Sequence, residues 1–172
     1  MIITDHLDNT PLGTIWAAAN ENGLVAVSLW EDADRFAKDL LRLTGEKSHF
    51  LSNTNLSLTQ ALAELDAYLR GELRTFEVPI DWTILKTFQR QVLEHVYKVH
   101  YGQTSTYQAI ADQLGKPGAV RAVGRANATN PMPIVIPCHR ILGSDGKLHG
   151  YGARGGIETK ARLLRMEGSW LI

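Results

Sequence analysis

The sequence predicts an α+β fold made of a small N-terminal α/β domain, with a β-hairpin and helices, and a mainly helical C-terminal domain that contains a helix-turn-helix. Three observations support this prediction. A hairpin pattern lies near the N-terminus, two amphipathic helices follow it, and the chain past Trp82 has helical or short extended segments without a second hairpin pattern. We therefore place a boundary near residue 85, which gives domains of residues 1–85 and 86–172.

The predicted hairpin is the first element of the N-terminal domain. Apolar residues alternate or cluster in residues 14–18 and again in residues 24–29. Asn22 and Gly23, between these two runs, suit a turn that requires positive φ.

Two helices and a short strand complete this domain. Apolar residues recur with helical spacing in residues 34–43 and 57–69, and Gly71 follows the second run in the position of a C-cap. Residues 76–80 predict a short edge strand, because Pro79 cannot occupy a central position in a sheet.

The C-terminal domain begins with a helical stripe and the first helix of the helix-turn-helix. That helix is predicted over residues 107–114, with Ser105 and Gln108 spaced as a capping box and Gly115 as a left-handed cap. The stripe before it consists of Phe88, Val92, Val96 and Val99.

Pro117 suits the first turn of the second helix, which we predict over residues 118–128. Six of these eleven residues are Gly or Ala, so the backbone can closely approach either a neighbouring helix or a nucleic-acid groove. Arg121 and Arg125 lie four residues apart and project from one face. A helix-turn-helix alone does not establish DNA binding.

The charge distribution adds a second indication. The 18 basic and 18 acidic residues cancel, which at first argues against a nucleic-acid partner. Residues 1–86, however, carry a net charge of −6, and residues 87–172 carry +6. A basic half suits a phosphate backbone, although attraction between the halves or solvated faces would explain it as well. Its basic residues are Arg90, Lys98, Lys116, Arg121, Arg125, Arg140, Lys147, Arg154, Lys160, Arg162 and Arg165.

Cys138 is the only cysteine, which excludes an intrachain disulfide and a zinc site with two or more Cys ligands. Three of the six prolines lie within residues 131–137 and stiffen the chain before it. A thiol with a pKa of ~8.5 needs a base or a cation to act as a nucleophile, and His139 and Arg140 are candidates. Side chains of adjacent residues in an extended chain point to opposite sides, so a hydrogen bond between Cys138 and His139 would need a turn or a bridging water. An inert buried cysteine is the alternative.

Together these motifs resemble the O6-alkylguanine-DNA alkyltransferase family. The resemblance is carried by Pro-Cys-His-Arg after Asn-Pro-x-Pro-Ile-x-Ile, by the Arg-Ala-Val-Gly helix and by the Tyr-Gln-x-Ile-Ala helix. It covers the chain closely from Thr87 onward and loosely before it, through Thr-Pro-Leu-Gly at residues 10–13 and the hairpin.

The resemblance implies DNA repair in a single irreversible reaction, which transfers the O6-alkyl group of guanine in duplex DNA to Cys138 after base flipping. Residues 1–85 would then be a structural domain, and residues 86–172 the DNA-binding and alkyl-acceptor domain. Neither a cofactor nor a metal is implied. We expect a cytoplasmic monomer with no membrane partner, because no apolar run approaches a membrane span and the first residues lack a signal-peptide pattern.

The resemblance also implies catalytic roles for four residues. Cys138 would be the nucleophile, and His139 would act through a water as its base. Glu167 would orient His139, and Asn130 would brace the turn that holds the active-site loop.

Binding roles follow from the same resemblance. Arg121 would fill the stack vacated by the flipped nucleotide, and Tyr107 would donate a hydrogen bond to the flipped guanine. The other expected substrate-pocket residues are Pro133, Ile141, Tyr151 and Ala153, and the other expected DNA contacts are Ala122, Gly124 and Arg125.

Two features depart from some relatives. An N-terminal zinc site found in some of them requires cysteine, which is absent before residue 138, so His6 and His49 are expected to be surface residues. The lid segment at residues 151–156 is longer than in many relatives.

Two other functional classes fit parts of this pattern. A helix-turn-helix regulator or damage sensor would bind DNA without chemistry and would not need Cys138. A Cys-His thiol hydrolase would turn over many ester or amide molecules, whereas an alkyl acceptor reacts once.

Overall fold

The computed structural model describes residues 1–51 and 55–170 and separates the chain into two compact units, Met1–Ile84 and Leu85–Ile172. The first unit contains a four-stranded sheet and two helices, and the second is mainly helical. The predicted α+β class is confirmed. Within the described residues, no helix combines the length and apolar character that crossing a bilayer requires.

The sheet of the first unit has the order β3-β2-β1-β4. β1 (Ile2–Thr10), β2 (Gly13–Asn20) and β3 (Gly23–Leu29) form an antiparallel meander, and β4 (Ser48–Phe50) pairs parallel to β1. The predicted hairpin is confirmed as β2 and β3. Its turn consists of Glu21 and Asn22, one residue earlier than predicted, because Asn20 pairs with Gly23.

Helices α1 (Ala33–Thr44) and α2 (Leu56–Leu69) match the two predicted amphipathic segments. Each begins at a capping side chain: Asp32 accepts from the Arg35 amide at 2.8 Å, and Asn55 accepts from the Leu58 amide at 3.0 Å. The apolar face of α1 packs on the sheet through Phe36 and Leu40, which form one hydrophobic cluster with residues of the strands.

The predicted edge strand at residues 76–80 is wrong. This segment forms only one isolated bridge, between Ile80 and Leu24. The Leu24 amide donates to the Pro79 carbonyl at 2.7 Å, and the Asp81 amide donates to the Leu24 carbonyl at 2.9 Å. Pro79 has no amide hydrogen, so the pairing does not extend into a regular ladder.

The second unit contains α3 (Thr87–Tyr97), α4 (Tyr107–Gln113), α5 (Val120–Ala128) and α6 (Gly156–Met166). Two short parallel strands, β5 (Ser105–Thr106) and β6 (Ile141–Leu142), lie among them. The predicted helix-turn-helix is confirmed as α4 and α5, joined through a 3₁₀ turn at Pro117–Ala119.

The predicted capping box of α4 is wrong. Thr106, rather than Ser105, caps the helix by accepting from the Ala109 amide at 3.0 Å. Gln108 instead donates to Asp112 at 2.9 Å and to the Pro117 carbonyl at 3.0 Å. Ser105 lies one residue before the cap position, which Thr106 occupies.

Candidate active site

Cys138 begins a one-turn 3₁₀ helix, Cys138–Arg140, at the end of the buried proline-rich loop. The loop folds back on itself, because the Ile136 amide donates to the Met132 carbonyl at 2.9 Å. Ile134, between them, has a φ of +74°, a left-handed conformation that β-branched residues rarely adopt. Cys138 is only 3% exposed, so the loop holds the thiol in the protein interior.

Asn130 closes this loop from both sides. Its Nδ2 donates to the Ile136 carbonyl at 2.9 Å, and its Oδ1 accepts from the Met132 amide at 3.0 Å. Asn127 of α5 also supports the site, since its Nδ2 donates to the Cys138 carbonyl at 3.2 Å. Nothing in the local sequence pattern distinguishes Asn127 as a support of the cysteine turn.

His139, the residue after Cys138, forms a buried pair with Glu167. His139 Nε2 lies 2.8 Å from Glu167 Oε1. A proton on Nε2 would be donated to this carboxylate and would leave Nδ1 as an acceptor. In the described part of the chain, Nδ1 is buried without a hydrogen-bond partner and makes no direct bond to Cys138. The imidazole is therefore oriented on one side and available on the other.

Arg140 fixes the carboxylate of this pair. Its Nε and Nη2 donate to Glu167 Oε2 and Oε1, each at 2.9 Å, and its Nη1 donates to the Val99 carbonyl at 2.6 Å. A two-toothed guanidinium contact of this kind restricts the carboxylate in both position and orientation. Arg140 is buried, so its expected place in a phosphate-binding surface is wrong.

The electrostatics keep both reacting groups neutral in the resting protein. Burial raises the pKa of the Cys138 thiol, while a hydrogen bond from Asn130, the charge of Lys160 and the Tyr151 hydroxyl act in the opposite direction. Burial lowers the pKa of His139 despite the nearby Glu167 carboxylate. A neutral imidazole can accept a proton from a neutral thiol, as general-base chemistry requires.

Lys160 is part of this site, although it was expected among the phosphate-binding cations. It is fully buried, and burial lowers its pKa to about 8. Its Nζ donates to the Ile141 carbonyl at 2.6 Å and to the Gly150 carbonyl at 3.4 Å. One sequence signal could have revealed it: Lys160 shares a helical stripe with Leu163, Leu164 and Glu167, which are all buried.

Tyr107, the first residue of α4, reaches toward the lysine and the lid. Lys160 Nζ lies 3.5 Å from the Tyr107 hydroxyl. The hydroxyl donates to the His149 carbonyl at 3.2 Å, and burial raises its pKa. The hydroxyl is thus positioned between a cation and an acceptor.

The remaining expected pocket residues lie on two segments. Pro133 is buried in the loop before Cys138, and Ile141 is buried directly after the 3₁₀ turn. Tyr151 and Ala153 are half-buried in the lid, where the Gly156 amide donates to the Ala153 carbonyl at 3.2 Å. The Tyr151 side chain forms a hydrogen bond that lowers the pKa of the Cys138 thiol. No bond between Ala153 and that thiol is found in the described chain.

The lid also packs tightly against α5. A Cβ atom on Gly152 would overlap the Ala128 carbonyl oxygen, so the two backbones meet without space for a side chain. This contact joins the lid to the end of the second helix of the helix-turn-helix.

The expected DNA contacts lie on α5. Arg121, Ala122 and Arg125 are exposed. Gly124 is half-buried and faces the Tyr107 ring. Three of the four residues are therefore on the surface, while Gly124 lets the helix approach Tyr107.

The two N-terminal histidines lie in the first unit. The His6 ring stacks on Trp16 with centroids 4.5 Å apart, and His49 is exposed. Among the residues that the structure describes, no three His, Cys, Asp or Glu side chains are grouped so that they could hold a metal ion.

Two family models match the chain in succession. Residues 3–82 match the 6-O-methylguanine DNA methyltransferase, ribonuclease-like domain, and residues 87–169 match the 6-O-methylguanine DNA methyltransferase, DNA binding domain. A methylated-DNA–protein-cysteine methyltransferase of Shigella flexneri is 37% identical over 166 residues, which cover 95% of this chain and 94% of that protein.

A Mycobacterium leprae protein of the same name is 44% identical over 113 residues, or 66% of this chain and 67% of its own length. A crystal structure of Mycobacterium tuberculosis OGT in complex with DNA superposes with a TM-score of 0.80 and 36% identity, covering 97% of this chain and 93% of that one. Similarity therefore extends over both units in sequence and in structure.

Proposed function

The chain belongs to the 6-O-methylguanine DNA methyltransferase family, and we propose that Cys138 is the residue that accepts the alkyl group. The chain repairs DNA by alkyl transfer, and DNA is its partner. The observation that supports the assignment to Cys138 is the buried His139–Glu167 pair beside the only cysteine. We assign residues 1–85 to a structural domain and residues 86–172 to the DNA-binding and alkyl-acceptor domain.

The first step is ionisation of the thiol. His139 Nδ1 is the free acceptor of the imidazole, so a water between it and Cys138 would carry the proton from sulfur to nitrogen. Glu167 would stabilise the imidazolium that results, because it already faces Nε2 at 2.8 Å. Asn130 would hold the loop in position throughout.

The second step is displacement at the alkyl carbon. The Cys138 sulfur forms a bond to that carbon, the bond from the carbon to guanine O6 breaks, and its electron pair moves into the purine. The purine then takes up the proton that the thiol lost. The product is a thioether, which has no leaving group that would regenerate the thiol, and each molecule therefore reacts once.

Lys160 and Tyr107 would assist the departing base. The Lys160 charge lowers the pKa of Cys138 and thus favours the thiolate. The Tyr107 hydroxyl, 3.5 Å from Lys160 Nζ, can donate to guanine as the base gains electron density, and the ammonium would stabilise the negative charge that develops on the hydroxyl oxygen. To do so, Tyr107 must exchange its present acceptor, the His149 carbonyl, for the base.

DNA would bind along α5. Arg121 and Arg125 are exposed, and residues 87–172 carry a net charge of +6. A base inside a duplex cannot reach a buried thiol, so the damaged nucleotide must be flipped, and Arg121 would fill the gap. Ala122 is small enough to let the helix enter the groove. A cytoplasmic monomer would suffice for this reaction, since the proposed site lies within one chain.

The experiment uses a duplex with one O6-methylguanine. Peptide mass analysis is expected to find one methyl adduct per molecule, on Cys138, and none after incubation with an unmodified duplex. Cys138→Ser should bind the duplex without acquiring the adduct. An adduct on another residue would exclude Cys138 as the acceptor, and repeated turnover would favour a hydrolase. Binding of the methylated duplex with no adduct on any residue of the wild type would favour a damage sensor.

A further inference from the structure

A cleft in the first unit lies between the sheet and the beginning of α1. It has a volume of about 400 Å³. Trp16 of β2 and Phe50 of β4 line one side, and Ala33, Phe36 and Ala37 of α1 line the other. The two alanines are four residues apart and share one helix face, so their short side chains leave the space between helix and sheet.

The walls of the cleft are aromatic and already in position. The Trp16 ring centroid lies 6.1 Å from both the Phe36 and the Phe50 centroids, tilted against the first and edge-on to the second. The His6 ring stacks on Trp16 and so fixes the indole. Phe50 is 56% exposed, so part of its ring is accessible to a ligand in the cleft.

Asp34 supplies a negative charge at the same cleft. Across the described residues it forms no hydrogen bond or ion pair, whereas Asp39 on the same helix pairs with Arg35 at 3.6 Å and Arg42 at 3.2 Å. The positive N-terminal end of α1 does not fully neutralise the Asp34 carboxylate, because the Asp32 side chain already accepts from the Arg35 amide.

We propose that this aromatic cleft (Trp16, Phe36, Phe50 and Asp34) binds a small free organic cation with a quaternary or heavily alkylated ammonium group. Aromatic faces attract a cation through their quadrupole, and Asp34 adds a direct charge interaction. Alkyl groups on the nitrogen suit apolar walls, whereas a strongly hydrated inorganic ion would lose its water shell without replacement ligands. The volume is within the range of small-molecule sites.

The test compares choline with its neutral isostere, 3,3-dimethylbutan-1-ol. The chain has four tryptophans, so indole N–H signals in a ¹H–¹⁵N spectrum can be followed individually, and Trp16→Phe identifies the relevant one. Choline is expected to shift the Trp16 signal saturably, with an affinity at least ~3-fold higher than that of the isostere, as a cation–aromatic contribution requires. Equal affinities, or no shift with either compound, would overturn the proposal.

Three substitutions of solvent-accessible side chains provide variants that should fold. Asp34→Asn is expected to weaken choline binding by ~2- to 5-fold and leave the isostere unaffected. Asp39→Asn, which removes the same charge from the same helix, is the matched control and should bind choline as the wild type does. Phe50→Leu keeps apolar surface but removes the ring, and should reduce the preference for the cation.

A separate experiment distinguishes a free small molecule from a lipid headgroup as the source of the ammonium group. Pelleting with phosphatidylcholine vesicles should leave the chain in the supernatant. Binding to vesicles without a response to free choline would contradict the assignment to a small free ligand. An Asp39→Asn effect equal to that of Asp34→Asn would show general charge attraction in place of a site.

Discussion

The Lys160 ammonium lies 3.5 Å from the Tyr107 hydroxyl, and this pair links a buried cation to the residue expected to contact the flipped guanine. Burial has lowered the pKa of Lys160 from 10.5 to about 8, so its charge is lost within a range that DNA tolerates. Alkyl transfer should therefore depend on pH through this lysine.

We expect the single-turnover rate to fall above pH 8, by up to ~10-fold per pH unit, as the ammonium deprotonates. Lys160→Met should lower the rate at pH 7 by ~10- to 100-fold and remove this fall. Rapid-quench measurement of methyl transfer between pH 6.5 and 9.5 checks both. Lys147→Met, at an exposed lid-side lysine, is the control; a wild-type rate that never falls at high pH would contradict the role of the charge.

The same lysine should make stability depend on pH. Its folded-state pKa lies below the unfolded value, so the native state binds fewer protons and the free energy of unfolding rises between pH 8 and about 10.5. The total rise is about 3 kcal/mol and should be absent in Lys160→Met. Urea unfolding of Cys138→Ala and of Cys138→Ala with Lys160→Met isolates the effect, because a thiol in the unfolded chain has a pKa of ~8.5 and so ionises within the same pH range. Parallel curves for the two proteins would refute it.

Glu167 supports both the base and the fold. Glu167→Gln should leave Arg140 buried without its charge partner and lower the free energy of unfolding by ~3 to 5 kcal/mol. The rate of alkyl transfer should fall as well, since the imidazolium of His139 loses its carboxylate. Glu158→Gln, on the exposed face of α6, should change neither property. Urea unfolding and single-turnover rates measured below the transition separate the two effects.

Asn130 should control thiol reactivity. Asn130→Ala removes the bonds to the Ile136 carbonyl and the Met132 amide, at a cost of ~1 to 3 kcal/mol, together with a hydrogen bond that lowers the pKa of Cys138. The pH profile of iodoacetamide alkylation should shift toward higher pH in the variant. Asn55→Ala, a cap in the first unit, should leave the profile unchanged, and an equal shift there would indicate a general loss of structure.

Salt dependence should identify the DNA face. Arg125→Gln is expected to reduce the slope of log affinity against log salt by ~1, because one phosphate contact is lost. Arg121→Gln should weaken duplex binding with a smaller change of slope, because its side chain would fill the vacated stack. Arg35→Gln, on α1, should leave the slope unchanged. Fluorescence anisotropy with a labelled duplex at several salt concentrations measures it; an effect of Arg35→Gln alone would place the DNA face elsewhere.

The sequence predicts elements whose signals are local. The hairpin, the two amphipathic helices and the helix-turn-helix each depend on residue spacing within a short window, and each is present. β1 was missed because Thr4, Asp5, His6 and Asp8 interrupt its apolar pattern, and β4 was missed because three residues that pair in parallel with a distant strand carry little signal. The Ser105 capping box failed because Thr106 satisfies the same rule one residue later.

The site residues also divide into those that have a local sequence signal and those that do not. Cys138 and His139 adjoin in the sequence, and their motif identifies them as candidates. Lys160 was not predicted as a site residue because a charged side chain is normally solvated, although its helical stripe with Leu163 and Leu164 indicates a face that is turned inward. The Lys160–Tyr107 contact joins residues 53 positions apart, which no local spacing encodes.

The contact between Gly152 and the Ala128 carbonyl has a consequence for sequence variation in the lid. Gly152 is exposed, and surface positions usually accept most substitutions. Here even alanine would push the lid off α5, because its methyl group would overlap the carbonyl oxygen. A saturation library of the lid should therefore be depleted at position 152, as a buried core position would be, while the neighbouring Arg154 varies.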